Sequence, residues 1–162
     1  MHTYIFSKEE AMRKIADNSF PQRAAVISFY DSDEEDKVNY SQVTDRVFYV
    51  DVPDFSFFDL DEYSIEYNSF FTEAEKLAKF ILEAEKNVYS IVCQCEYGES
   101  RSPAAAAAIN EFFNHDGIEV FADYNYCPNQ IIYNKLYFAL CCQFMKNQSS
   151  SGVSPYFCGN IK

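Results

Sequence analysis

The chain has 162 residues, 48% of them hydrophobic, with 16 Phe and 13 Tyr. That is enough for one domain with a full core, and too apolar for a disordered chain. Its net charge of −12 disfavours nucleic acid and anionic membrane as partners, because phosphate-bearing surfaces are met by basic faces. No apolar run approaches the roughly 20 residues of a membrane span. The N-terminus Met-His-Thr-Tyr-Ile-Phe-Ser has no apolar signal region, and the C-terminal Gly-Asn-Ile-Lys is no lipidation signal. A cytoplasmic location is therefore expected, with Cys93, Cys95, Cys127, Cys141, Cys142 and Cys158 as free thiols. Cys93-x-Cys95 and the adjacent Cys141-Cys142 lack the spacing of zinc knuckles, so no metal site is expected.

In chain order, Ser7-Lys8-Glu9-Glu10 is a capping box followed by Ala11, Met12, Ile15 and Ala16 at helical spacing. Ala24 to Tyr30 reads as a buried strand. Asp31 to Asp36 reads as a solvated acidic connection. Val47 to Val52 reads as a second strand, stopped by Pro53. Residues 54 to 70 lack clean periodicity and read as a long aromatic loop over a site. Thr72-Glu73-Ala74-Glu75 reads as a second capping box, with Leu77, Ala78, Ile81 and Leu82 facing a core.

Val88 to Cys93 is a short β-branched run, read as the central strand. Ser102 as N-cap and Pro103 at the first helical position open the next helix, which ends at His115-Asp116-Gly117. Pro128 opens a last helix with Ile131, Ile132, Leu136, Phe138, Ala139 and Leu140 mostly inward, and residues 149–162 read as a tail behind a single domain of 1–148. Strands alternating with helices imply an α/β fold, a mainly parallel central sheet with helices on both faces. Such sheets bind ligands beyond the carboxyl ends of their strands.

One loop sits at such an end. Residues 95 to 101 read Cys-Glu-Tyr-Gly-Glu-Ser-Arg, between the apolar strand and the helix start. The pattern fits attack by a thiolate on a phosphate ester. A helix N-terminus favours a thiolate. Loop N–H groups and a planar, bidentate arginine suit a phosphate dianion.

Cys95, Gly98, Arg101 and Ser102 together resemble the Cys-x-x-Gly-x-x-Arg-Ser/Thr signature of the cysteine-dependent protein tyrosine and dual-specificity phosphatases. The mid-chain position is unlike the low-molecular-weight phosphatases, and the loop is one residue longer than in rhodaneses. Length and order look most like small bacterial or phage dual-specificity-like phosphatases. Pro128-Asn129 resembles the Pro-Asn that often precedes their last helix, and the likeness spans residues 20 to 146.

The resemblance implies a protein tyrosine phosphatase-like fold and hydrolysis through a cysteinyl phosphate, without cofactor. Cys95 is then the nucleophile and Arg101 the phosphate grip. Ser102 bonds the thiolate. Glu96, Tyr97, Gly98, Glu99, Ser100, Arg101 and Ser102 form the phosphate-binding loop, with Gly98 admitting a close backbone approach and Ser100 shaping the loop.

Gln94 stands where the family has histidine. Glu96 and Glu99 disfavour highly anionic ligands such as polyphosphoinositides. The general acid of the family follows an earlier strand, and Pro53-Asp54 echoes its Trp-Pro-Asp. Asp54 is thus the candidate acid, with Asp51, Asp59 and Asp61 as alternatives. Tyr97, Phe55, Phe57, Phe58 and Tyr63 are either pocket walls for a phosphotyrosine ring or ordinary packing. Cys93 is either a partner for a protective disulfide with Cys95 or a buried inert thiol.

The reading is a phosphatase for phosphate monoesters, above all phosphotyrosine in a phosphoprotein or phosphopeptide. The alternatives are a weak or inactive phosphate-binding pseudophosphatase and an RNA 5′-triphosphatase, the latter opposed by the net charge of −12.

Overall fold

The computed structural model of the protein describes residues 1–31 and 37–150, with only the backbone of residues 149 and 150. The acidic stretch 32–36 and the tail beyond residue 150, Cys158 included, lie outside the described residues. In chain order the elements are β1 (His2–Ser7), α1 (Lys8–Ala16), β2 (Ala24–Tyr30), β3 (Val47–Asp51), α2 (Phe57–Glu62), a 3₁₀ turn (Tyr67–Ser69), α3 (Ala74–Ala84), β4 (Ser90–Cys95), α4 (Arg101–Asn114), α5 (Ile118–Ala122) and α6 (Gln130–Ser150). The four strands form one sheet of order β1-β4-β2-β3, and every pairing is parallel.

Burial follows from that order. The inner strands β4 and β2 are buried almost throughout, while the edge strands β1 and β3 are only partly so. A strand covered on both faces must be apolar along its whole length, as Ala24 to Phe29 is. On one face Ala25, Ile27, Phe29, Ile91, Cys93 and Cys95 meet α3, α4 and α6. On the other, Phe6, Ala24, Val26 and Val92 meet Ala11 of α1 together with Phe20, Val38 and Tyr40. Ala104 to Ala108 are fully buried, because a helix of small side chains can lie close to both the sheet and α6. Burying one core leucine such as Leu136 contributes about 1.5–3 kcal/mol.

Several boundaries differ from the sequence reading, each for a local reason. His2–Ser7 is an edge strand beside β4, a segment to which the sequence reading assigned no element. Ser7 still caps α1, accepting from Glu10 N at 3.0 Å. The expected aromatic loop contains α2, opened by a reciprocal capping box between Ser56 and Asp59. Thr72 does not cap α3, which starts at Ala74 with no side-chain cap bond.

The central strand runs from Ser90 through Cys95, so the nucleophile candidate is its last residue. Helix α4 begins at Arg101, and Ser102 lies in its first turn rather than capping it. The cap of α6 is Asn129, whose Oδ1 accepts from Ile131 N and Ile132 N at 3.1 Å each. Helix α4 ends where expected, with His115 in the left-handed region at φ 62°. No helix among the described residues is long and apolar enough to cross a membrane.

Candidate active site

The loop 95–101 leaves the carboxyl end of β4 between its two neighbours, β1 and β2. Cys95 pairs in register with Ser7, and the Glu96 carbonyl accepts from Lys8 N at 3.1 Å, so the β1–α1 junction supports the loop from one side. On the other side Glu99 O accepts from Cys127 N at 2.8 Å and Ser100 O from Asn129 N at 3.2 Å. The loop is thus held by two segments distant in sequence.

Cys95 is buried, and its Sγ lies 3.1 Å from Ser102 Oγ. This bond explains why Ser102 does not cap the helix: its hydroxyl is turned back to the strand end.

Gly98 has φ +76°, and a Cβ there would lie 2.9 Å from Ser7 N and 3.2 Å from Phe6 C. The glycine is therefore required by the β1 backbone behind it, in addition to any approach of a ligand in front. Gly98→Ala is expected to lower stability by about 1–3 kcal/mol, a melting drop of several degrees at this chain length. A thermal melt within a degree of the wild type would refute this.

Arg101 is only 4% exposed. Its Nη1 donates to Asp31 Oδ1 at 2.8 Å and to Val52 O at 3.0 Å, and its Nη2 to Asp31 Oδ2 at 3.2 Å. Asp31, which the sequence suggested was part of a solvated connection, instead sits at the end of β2 and takes a bidentate ion pair. The Nη edge of the guanidinium is thereby engaged. The buried Nε–H has no partner among the described residues.

The loop carboxylates Glu96 and Glu99 both line a cavity beside Ser7, Lys8 and Tyr97. Glu96 faces Lys8 Nζ at 3.4 Å. Glu99 is exposed, as is Tyr97, at 78%. Gln94 is buried on the opposite face of β4 from Cys95, where its Oε1 accepts from Ser28 Oγ at 2.6 Å and Tyr40 OH at 3.0 Å. Burial pushes the Tyr40 phenol well up, so it remains a hydrogen-bond donor to Gln94.

Of the four candidate acids, Asp54 bonds the loop directly: its Oδ1 accepts from Ser100 Oγ at 2.8 Å and from Asn129 Nδ2 at 2.9 Å. Asp59 is committed to capping α2, and its bonds from Ser56 hold its carboxyl below the usual range. Asp51 is exposed at the end of β3 and Asp61 is exposed on α2.

Beside Asp54 and Ser100 opens a cleft of about 400 Å³, whose lining includes Phe57, Phe58, Pro128 and Ile131. Phe58 is 85% exposed. Phe55 and Tyr63 stack on each other at 5.2 Å and line no part of this cleft.

Cys93 and Cys95 are both free. Two apart on one strand, they share a face at a spacing of roughly 6.6 Å, too far for the Cβ atoms of a disulfide. Burial, and secondarily Cys95, pushes the Cys93 thiol well up. Among the described residues no three His, Cys, Asp or Glu side chains converge as a metal would need.

The all-parallel sheet, with the inner strand β4 running through the Cys95-x₅-Arg101 loop into α4, is the α/β arrangement expected from the sequence. Several solved structures resemble the chain, among them the following. PTPMT1 is 13% identical, with 93% of this chain and 95% of that one covered at a TM-score of 0.46. A leucine-rich-repeat and phosphatase-domain protein from Entamoeba histolytica is 12% identical, with 94% and 92% covered at 0.48. PTPMT1 in complex with PI(5)P is 11% identical, with 90% and 94% covered at 0.44. No protein-family model and no curated protein matches the chain. At such identities nothing about activity transfers, and the functional reading rests on the loop's own residues.

Proposed function

We propose that the protein hydrolyses phosphate monoesters, with phosphotyrosine in a protein or peptide as the natural class, through a cysteinyl phosphate. The observation that carries this is Arg101. A buried guanidinium N–H without a partner costs about 1–3 kcal/mol. This one lies in the loop that begins at Cys95, where a phosphate oxygen would satisfy it.

In the first step the Cys95 thiolate attacks phosphorus. The P–S bond forms, the P–O bond to the alcohol breaks, and Asp54 gives its proton to the departing oxygen. In the second step water attacks phosphorus and loses its proton to Asp54. The P–S bond breaks, inorganic phosphate leaves, and Ser102 donates to the departing thiolate across the 3.1 Å contact. Arg101 and the loop N–H groups stabilise the equatorial oxygens in both steps.

The cleft beside Asp54 supports a ring-bearing substrate with one phosphate. Its walls are aromatic and aliphatic, and it is lined by no lysine or arginine that could meet a second phosphate.

The test is turnover of 4-nitrophenyl phosphate in excess EDTA. Hydrolysis at an unchanged rate is expected. Strong inhibition by EDTA would replace the thiolate mechanism with a metal-dependent one. Binding of phosphate without turnover would favour the phosphate-binding module instead.

A further inference from the structure

We infer that Asn129 is a positioning residue for the acid, an inference that rests on the phosphatase reading and on Asp54 as proton donor. Asn129 is 8% exposed, and its side chain uses every hydrogen-bonding position it has. Oδ1 accepts from Ile131 N and Ile132 N, capping α6. Nδ2 donates to Asp54 Oδ1 and to Phe55 O, each at 2.9 Å. Its backbone N–H donates to Ser100 O, inside the phosphate loop.

Capping alone needs only the oxygen. The amide nitrogen is committed instead to the acid and to the peptide next to it. One residue therefore joins the head of α6, the segment that carries Asp54, and the loop that would hold the phosphate.

This matters because Asp54 is exposed and lies in the irregular segment after β3. An unrestrained carboxylate there would sample several rotamers. A general acid has to stand within hydrogen-bond reach of the leaving oxygen, and an error of an ångström can cost about 10²-fold. The Ser100 and Asn129 donors converge on Oδ1, and Oδ2 accepts no bond from the described residues. The carboxyl is thereby oriented, with Oδ2 left to carry and deliver the proton.

The test compares two esters, phenyl phosphate with its poor leaving group and 4-nitrophenyl phosphate with its good one. Asn129→Ser keeps an N-cap of comparable strength and removes the amide donor. Its kcat/KM is expected to fall about 10–100-fold on phenyl phosphate and by less than about threefold on 4-nitrophenyl phosphate. In an Asp54→Asn background the same change should alter phenyl phosphate turnover by less than about twofold, because its effect runs through a carboxylate no longer there. Asn129→Thr, a second N-cap without an amide donor, should show the same ester pattern if the serine variant folds poorly.

Equal losses on both esters, or full additivity with Asp54→Asn, would overturn the inference while leaving the phosphatase reading intact. A wild type that turns over neither ester would overturn both.

Discussion

Cys95→Ser is expected to lower turnover of any phosphate monoester by at least about 10⁴-fold, the scale on which enzymes lose a covalent nucleophile. Among the described residues no base is hydrogen-bonded at this position to activate a serine hydroxyl. The nearest side-chain partner is Ser102 Oγ, itself a hydroxyl. The loop should keep its shape, because its supports are backbone bonds to Lys8, Cys127 and Asn129 rather than contacts of the sulfur. Affinity for inorganic phosphate, measured by calorimetry, should therefore stay within about an order of magnitude of the wild type while turnover vanishes. A serine variant retaining more than about a tenth of wild-type activity would remove the covalent step from the mechanism.

Asp54→Asn should slow phenyl phosphate hydrolysis by about 10²–10⁴-fold, the usual size of general acid catalysis. 4-Nitrophenyl phosphate should lose much less, because its leaving group departs without full protonation. Asparagine can still accept from Ser100 and Asn129 through its amide oxygen, so the segment after β3 should stay in place. Equal losses on both esters would make Asp54 a structural or binding residue. No loss on either would move the role to Asp51, Asp59 or Asp61. Asp59 is the least suited of these, since its carboxylate is held ionised by the Ser56 cap.

What the sequence by itself determined about this protein is local. The Cys95–Ser102 spacing, a strand before it, a helix after it and an acid just past a strand end are all features of short range. They follow from side-chain type, period and turn chemistry within a few residues. The parallel sheet followed as well, because strands separated by helical segments have few other ways to pair.

The tertiary structure decided which polar groups became partners. Asp31 grips Arg101 from 70 residues away, Asn129 holds Asp54 from 75, and Ser28 and Tyr40 satisfy Gln94 from 66 and 54. None of these pairs has a sequence period. The first two arise because the sheet order β1-β4-β2-β3 brings the ends of three other strands and the head of α6 around one loop, and the Ser28–Gln94 bond because β2 lies beside β4. The sheet order also explains Gly98, whose obligation is to the backbone of Ser7 across the strand pair. A buried donor or acceptor must be satisfied by whatever the fold sets beside it, and that neighbour is chosen by the path of the whole chain rather than by the residues on either side.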